Sequence, residues 1–309
     1  MCIRDSLYAL TQVGQARIAP TVAIPQRIRS HFEAQDLLEN GAGQMYGAAT
    51  GWLNRTLQAV APSRPIKALS IGAQEPMILH GPMQAESWSP GGRLNPSTDR
   101  VAAALQELYK SDPLLGPALA TGLTVETQAN SFNGGKPSGG DAKAFAVTAA
   151  QFLMAPDGPS IAVLSLDGFD THANQGAETG QLANRLAILD GVIAGLKTGM
   201  GEKWFKTVVV VATEFGRTAH VNGTGGTDHG TASTLILAGG ALKAGGIIGD
   251  WPTLDGASLF EARDLAPTLD VRQVFKGVLI EHLGVDGRAL ETVVFPASRE
   301  ARPVRGLIA

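Results

Sequence analysis

The chain has 309 residues, which suits two domains or one large α/β domain and is enough to bury a sizeable core. Its 25 basic and 28 acidic residues give a formal net charge of −3, and the chain has no Lys/Arg-rich run with interleaved aromatic residues, which argues against a nucleic-acid partner. No apolar stretch approaches the roughly 18 residues of a membrane span. Because Cys2 is the only cysteine, internal disulfides and a cysteine-based zinc site are excluded.

The first six residues, Met-Cys-Ile-Arg-Asp-Ser, resemble a translated sequencing-adapter scar at the broken end of a gene model. We therefore expect residues 1–6 to be non-native and exclude them from fold reasoning. Residues 7–309 are expected to form a single α/β domain.

Helical patterns dominate the N-terminal part of the chain. Ser30 and Glu33 have the spacing of a capping box, which predicts a helix that begins there and continues past Leu38. Helical patterns predict two more helices, at residues 45–60 and 99–110. Residues 61–98 are rich in Pro, Gly and Ser and predict an irregular segment, with one short strand at residues 68–71.

Strands and helices alternate after a glycine-rich segment at residues 131–140. That segment matches neither the P-loop nor the dinucleotide fingerprint, so we interpret it as a structural loop and not as a phosphate cradle. Continuous apolar runs are typical of strands that are covered on both faces in a parallel sheet. The order predicts a βαβ unit with a right-handed crossover. Its elements are a helix at 141–153, a strand at 161–166, a helix at 179–196 and a strand at 207–212.

Residues 215–230 contain five glycines and no helical pattern, yet they lead to another apolar run at 234–238. Parallel neighbours need a crossover, which is usually helical. We therefore expect the strand at 234–238 to run antiparallel to the strand at 207–212. Its first residues would then lie at the edge of the sheet where the other strands end. This arrangement brings together Asp170, Glu214, Asp228 and His229.

Two loop motifs concentrate metal-binding side chains beside the apolar strands. Asp170 and His172 are two residues apart, so in an extended segment both side chains face the same way and can grip one cation. His229 would supply a third ligand. Imidazole and carboxylate suit zinc or a similar divalent ion, and three protein ligands leave a position open for water or substrate. The alternative is an ordinary polar loop with solvated histidines, but ligands bind at the carboxyl ends of parallel strands, which favours a site.

Four motifs resemble those of the bacterial domain of unknown function 1501 family, in the same order and over nearly the whole chain. They are Arg29–Asp36, Gly168–His172, Thr213–Arg217 and Gly226–Gly230, followed by Asp264–Thr268 before a closing helix. That family belongs to the alkaline phosphatase-like superfamily, with sulfatases and cofactor-independent phosphoglycerate mutases. The resemblance implies an α/β, alkaline phosphatase-like sandwich, with a mostly parallel central sheet, helices on both faces and at least one antiparallel strand.

The resemblance also implies hydrolysis or transfer of phosphate or sulfate esters at a pair of divalent metals. Asp170, His172 and His229 would be similar to the ligands of the first metal. Glu214 stands where the superfamily places an Asp on the second metal. Phe215 stands where many members carry His or Asn, so the second site is expected to be weakened or absent. We expect one or two ions, with Zn favoured and Mn, Mg or Ca as alternatives.

Ser30 is the candidate for the nucleophile that the superfamily places at a helix N-terminus, where free N–H groups and the helix dipole favour an anionic ester. A capping role explains Ser30 without any chemistry. Arg217 is expected either to clamp phosphate or sulfate bidentately or to pair with a nearby carboxylate. His31 and Asp36 are expected to line the site, and Asp228 is expected to orient His229 by hydrogen bonding.

Two functions follow as hypotheses. The first is a metal-dependent hydrolase that acts on a small anionic ester or on a sulfated or phosphorylated glycan. The second is a non-catalytic relative that keeps one metal and binds an anionic glycan or a partner protein. Phe215 favours the second hypothesis.

The resemblance places a central strand, which carries a metal-binding Asp, before the segment at residues 7–18. We therefore expect one strand unit and one ligand at the N-terminal side to be missing, and the fragment to be inactive and poorly stable because buried backbone groups would be unpaired. Relatives are often exported, so the resemblance implies a periplasmic or secreted protein, although no export signal is visible in this chain.

Overall fold

A computed structural model describes residues 5–72, 75–89, 96–132 and 142–309. The fold is α/β, with helices packed on mixed and parallel sheets. The helices are α1 (Asp5–Gln12), α2 (His31–Asn40), α3 (Trp52–Val60), α4 (Pro96–Tyr109), α5 (Leu115–Phe132), α6 (Ala142–Met154), α7 (Gln181–Met200), α8 (Val271–Leu283) and α9 (Gly287–Ala289). The strands are β1 (Ala16–Ala23), β2 (Ala68–Ile71), β3 (Ala85–Trp88), β4 (Ile161–Leu164), β5 (Val209–Val211), β6 (Ser233–Ala238) and β7 (Leu269–Asp270).

Shorter helical turns complete the described elements. They are 3₁₀ turns at Met77–Leu79, Gly201–Lys206 and Gly256–Ser258, and a π-helical turn at Leu290–Val294. Most of the glycine-rich segment that the sequence predicts as a loop lies outside the described residues.

The described strands form two sheets. One has the order β5-β6-β1-β7, with β6 antiparallel to both β5 and β1 and with β7 parallel to β1. The other has the order β3-β2-β4 and is parallel throughout. The predicted antiparallel relation of the strands at 207–212 and 234–238 is confirmed, because Val209 pairs with Ala238 and Val211 pairs with Ile236.

The predicted βαβ unit is wrong. β4, α7 and β5 follow one another in the chain, but β4 pairs with β2 whereas β5 pairs with β6. The described strands therefore do not form the one mostly parallel sheet that the sequence predicts. The order of elements predicts that a crossover connects two strands, but it does not identify the strand that supplies each hydrogen-bonding partner.

Helices cover both faces of the four-stranded sheet. Leu235 and Leu237 of β6 pack into the largest core cluster, with α2, α3 and α8. Ile236 and Ala238 alternate with them and pack on the opposite face, with α1, α6 and α7. Both faces of β6 are therefore covered by apolar side chains, as the continuous apolar run in the sequence predicts.

The three-stranded sheet shares its helical layer with the four-stranded sheet. Leu69 and Ile71 of β2 pack against α5 and α6, while Ala68 faces Leu57 of α3. Leu196 of α7 contacts the core clusters of both sheets. In the part of the chain that is described, no helix has the length and apolar character that crossing a membrane requires.

Candidate metal centre

Three loops and the first turn of α2 meet at one place. The loops carry the side chains that the sequence singles out: Asp170 and His172 after β4, Glu214 and Arg217 after β5, and Asp228 and His229 before β6. The antiparallel turn-back from β5 to β6 brings the second and third loops together. The first loop arrives from the other sheet, at the end of β4.

Main-chain hydrogen bonds hold these loops against one another. The N–H of Thr227 donates to the carbonyl of Thr171 at 3.1 Å, and the N–H of Gly230 donates to the carbonyl of Gly216 at 2.8 Å. The side chain of Gln175 adds a second link, because its Oε1 accepts from the hydroxyls of Thr171 at 2.8 Å and Thr227 at 2.7 Å. The loops are thus fixed by their backbones before any ligand contributes.

Asp170, His172 and His229 converge as the sequence predicts. Oδ1 of Asp170 lies 3.0 Å from Nε2 of His172 and 3.1 Å from Nε2 of His229, and the two Nε2 atoms are 3.0 Å apart. His31 joins them, with its Nε2 3.2 Å from Oδ2 of Asp170. His31, Asp170 and His229 form a group that can hold a metal ion.

The hydrogen bond made by Nδ1 of each histidine determines whether its Nε2 carries a proton. Nδ1 of His229 lies 2.7 Å from the main-chain oxygen of Arg29, and Nδ1 of His172 lies 3.2 Å from Oδ1 of Asp228. Carbonyl and carboxylate oxygens only accept, so each Nδ1 donates and each neutral ring presents an unprotonated Nε2. Two nitrogen lone pairs and a carboxylate oxygen then face one another within 3.1 Å. This donor set fits a divalent cation such as zinc.

His31 stands between two carboxylates. Its Nδ1 lies 2.7 Å from Oε1 of Glu214, and its Nε2 faces Asp170. Burial lowers the pKa of His31, but the hydrogen bonds and charges of Glu214 and Asp170 outweigh burial and raise the pKa above its ordinary value. Because Nδ1 is committed to Glu214, the ring can bridge the two carboxylates as an imidazolium or offer a neutral Nε2 to an ion.

Asp170 is the common partner of the cluster. Burial raises its pKa, but hydrogen bonds from Arg217 and His31, together with the charges of Arg217 and His172, outweigh burial and lower the pKa to about 2. Nη1 of Arg217 donates to Oδ1 of Asp170, and its Nε and Nη2 donate to the hydroxyl and carbonyl of Thr227. Arg217 thus pairs with a carboxylate, one of its two predicted roles, and its role as an anion clamp stays a prediction.

Phe215 forms an apolar wall of the cluster. Its ring is buried, and its centroid lies 4.8 Å from that of His31 and 4.7 Å from that of His229. Glu214, its neighbour, engages the outer edge of His31, and its second oxygen accepts from the hydroxyl of Thr213 at 2.7 Å. A metal-ligand role for Glu214 stays a prediction.

The predicted capping box at the start of α2 is wrong. Ser30 has the extended backbone of an N-cap residue, but within the described chain its side chain makes no capping hydrogen bond. Its neighbours are instead fixed by the other loops, because the carbonyl of Arg29 contacts His229 and the ring of His31 contacts Glu214. The hydroxyl of Ser30 is therefore not committed to the helix end.

Two further predicted residues contact other groups than expected. Asp228 orients His172 and not His229, and hydrogen bonds from Asn222 and His172 lower the pKa of Asp228. Asp36 accepts from the side chain of Asn40 at 2.8 Å and from the main chain of Tyr46 at 2.7 Å. Asp36 thus joins α2 to the loop that follows it. Its expected role as a residue that lines the site stays a prediction.

Residues 9–294 match the family described as protein of unknown function, DUF1501. The chain belongs to the DUF1501 family. No curated protein and no solved structure matches the chain. The whole cluster of this DUF1501 protein lies inside the matched span, from His31 in α2 to His229 before β6. The arrangement offers three inward-facing imidazoles around one ionised carboxylate.

Proposed function

We propose that this DUF1501 protein is a metal-dependent hydrolase of phosphate or sulfate esters, built on an alkaline phosphatase-like fold. The observation that supports the proposal is the approach of Oδ1 of Asp170 to the Nε2 atoms of His172 and His229, both of which use Nδ1 as a donor. These three residues, with His31 available, would hold the ion, and the donor set favours Zn. When bound, a divalent ion polarises the ester and stabilises developing negative charge.

The residues around this donor set supply the other parts. Ser30 is the proposed nucleophile, because its hydroxyl does not cap α2 and because its neighbours in the chain, Arg29 and His31, both contact the cluster. The N-terminus of α2 favours an anionic ester. Arg217 supplies positive charge beside Asp170. The proposed substrates are small anionic esters or sulfated or phosphorylated glycans, and a location outside the cytoplasm is proposed on the family resemblance alone.

Phe215 favours a second candidate function. A buried aromatic ring stands against His31 and His229, at the position where the superfamily often has a His or Asn ligand. A ring of this kind cannot coordinate a second ion. The second candidate is therefore a one-metal protein that binds an anionic glycan or a partner protein without turnover.

Metal stoichiometry and ester turnover, measured on the same preparation, test the proposal. The chain would be titrated with Zn, Mn, Mg and Ca and then assayed with a phosphomonoester, a phosphodiester and a sulfate ester. We expect Asp170→Asn to reduce metal affinity strongly, because the variant removes the charge shared by the three imidazoles. Asp167→Asn is the matched control, since Asp167 is an exposed carboxylate in the same loop.

The outcomes separate the two candidates. Turnover that requires the metal and is lost in Asp170→Asn supports the hydrolase. One tightly bound ion without turnover of any ester supports the second candidate. Equal metal affinity in wild type, Asp170→Asn and Asp167→Asn would reject both, because the cluster would then not be the binding site.

A further inference from the structure

Asp264 is a carboxylate with no solvent exposure and two arginine partners. It accepts from Nε of Arg29 at 2.9 Å and from Nη2 of Arg29 at 2.5 Å, and its other oxygen accepts from Nη1 of Arg263 at 2.9 Å. A buried charge is tolerated only when it is paired and hydrogen-bonded, as here. The carboxylate therefore fixes the positions of both guanidinium groups.

Both arginines also contact His229, and at different places. The main-chain carbonyl of Arg29 accepts from Nδ1 of the His229 ring at 2.7 Å. Nη1 of Arg263 donates to the main-chain oxygen of His229 at 3.0 Å. Asp264 is thus connected to the ring and to the backbone of one cluster residue, although it touches neither.

We propose that Asp264 is a positioning residue for His229. By anchoring Arg29 it holds the carbonyl that keeps Nδ1 protonated, so that Nε2 faces Asp170 without a proton. By anchoring Arg263, Asp264 also holds the main chain of His229, which determines how far the imidazole reaches towards Asp170. The proposal rests on the proposed function, in which Nε2 of His229 is a metal ligand. Partners of this kind orient metal-binding imidazoles, and their loss weakens metal binding about 10- to 100-fold.

Glu261 provides a matched comparison. Its carboxylate also pairs with Nη2 of Arg29, at 2.8 Å, but its side chain is 56 % exposed. An exposed pair fixes its partner weakly. If the arginine charge only needed a counter-charge, the two carboxylates would be equivalent. If a buried anchor is needed, Asp264 alone matters.

The test compares Asp264→Asn with Glu261→Gln by zinc titration calorimetry and by nitrogen NMR of the His229 ring. We expect zinc binding to weaken about 10- to 100-fold in Asp264→Asn and to change by less than about threefold in Glu261→Gln. The NMR spectrum should show a protonated Nδ1 in wild type and Glu261→Gln, and a mixture of ring tautomers in Asp264→Asn. A general loss of stability would leave the tautomer of His229 unchanged in the molecules that remain folded, so the tautomer separates a positioning role from a merely structural one.

Arg263→Met keeps the proposal testable if Asp264→Asn does not fold, since Arg263 is partly exposed and its loss removes the bonds to the His229 backbone and to one oxygen of Asp264 while Asp264 keeps Arg29 as its partner. It should weaken zinc binding in the same direction. If wild type binds no zinc, the proposed function fails, while the tautomer measurement still decides the positioning role. A folded Asp264→Asn with wild-type tautomer and wild-type zinc affinity would overturn the proposal.

Discussion

At the scale of single residues, the cluster is defined by which ring nitrogen of each histidine is occupied. His172, His229 and His31 each direct Nδ1 outward to an oxygen acceptor and Nε2 inward to Asp170. Spacing along the chain predicts that Asp170 and His172 share a face, but the Nδ1 acceptor of His229 is a main-chain carbonyl. Any residue type carries a carbonyl, so the sequence holds no signal for that partner.

Ser30 precedes α2 without a capping hydrogen bond from its side chain. Because its side chain does not cap α2, Ser30→Ala should leave the free energy of unfolding nearly unchanged, whereas loss of a working cap costs about 1 kcal/mol. If Ser30 is the nucleophile, ester turnover should fall by about a thousandfold or more. Urea unfolding and an ester assay measure the two effects.

Ser30→Thr is the control for this prediction, since it keeps a hydroxyl at the same place and should retain part of the turnover. Undiminished turnover in Ser30→Ala would contradict the nucleophile role. A loss of about 1 kcal/mol in that variant would instead show that the hydroxyl caps the helix in solution.

At the scale of elements, close packing between loop backbones positions the cluster. Gly226 has no side chain, and a Cβ atom there would overlap the main-chain carbonyl of His172. The loop before β6 can therefore lie directly on the loop after β4, where Thr227 and Thr171 form their hydrogen bond. Gly226 is required because there is no space for a Cβ atom, and not because of its backbone conformation, since its φ is not in the left-handed region.

Gly226→Ala should accordingly separate the two loops. We expect the added methyl group to cost about 1–3 kcal/mol of stability and to weaken zinc binding by at least tenfold, because His172 and His229 lie on opposite sides of the contact. Gly223→Ala is the matched control, since no described atom lies within 4 Å of a Cβ atom at that position. Equal zinc affinity in the two variants would show that the loops adjust freely.

The sequence predicts the elements around the site better than it predicts the centre of the sheet. The strands at β2, β4, β5 and β6 and the helices α2, α6 and α7 lie where their apolar patterns predict them. β1 is not predicted, because Pro20 stands inside it and proline cannot donate to a ladder. The structure accommodates Pro20 at an irregularity in the pairing with β6, between Ala19 and Val22. α5 is missed for a related reason, since it contains Gly116, Pro117 and Gly122.

At the scale of the whole molecule, long-range pairing decides the architecture. The sequence predicts that β4 and β5 are strands, and the connection length predicts the antiparallel turn from β5 to β6. It does not predict that β4 joins β2, which precedes it by about ninety residues in the printed sequence. His31 is expected at the site only through the family resemblance, and no local pattern predicts its contact with Asp170, which lies 139 residues later in the chain. Such contacts depend on the packing of whole layers and have no local pattern.

The C-terminal segment, residues 306–308, contacts both α8 and β1. Glu281 of α8 accepts from the main-chain N–H groups of Gly306 at 2.8 Å, Leu307 at 2.7 Å and Ile308 at 3.1 Å. The segment is also joined to β1, because Nη1 of Arg17 donates to the carbonyl of Gly306 at 2.9 Å. Glu281 thus joins residues 306–308 to α8, and Arg17 joins them to the four-stranded sheet.

The contribution of this carboxylate to stability depends on pH. Burial raises the pKa of Glu281, but the main-chain hydrogen bonds from residues 306–308 outweigh burial and lower the pKa below its ordinary value. A carboxyl group whose pKa is lower in the folded state stabilises the protein above its unfolded pKa of about 4.3, and that stabilisation is lost as the pH falls through the folded pKa.

Glu281→Gln should therefore lose about 1 kcal/mol of stability at pH near 7, since charged hydrogen bonds are weakened by partial exposure. The difference from wild type should be smaller at about pH 3, because the stabilisation by the charge is progressively lost as the pH falls below the unfolded pKa towards the lower folded pKa. Urea unfolding at the two pH values measures the effect, with Glu300→Gln as an exposed control. A stability difference that is the same at both pH values would show that the charge of Glu281 does not hold the C-terminal segment.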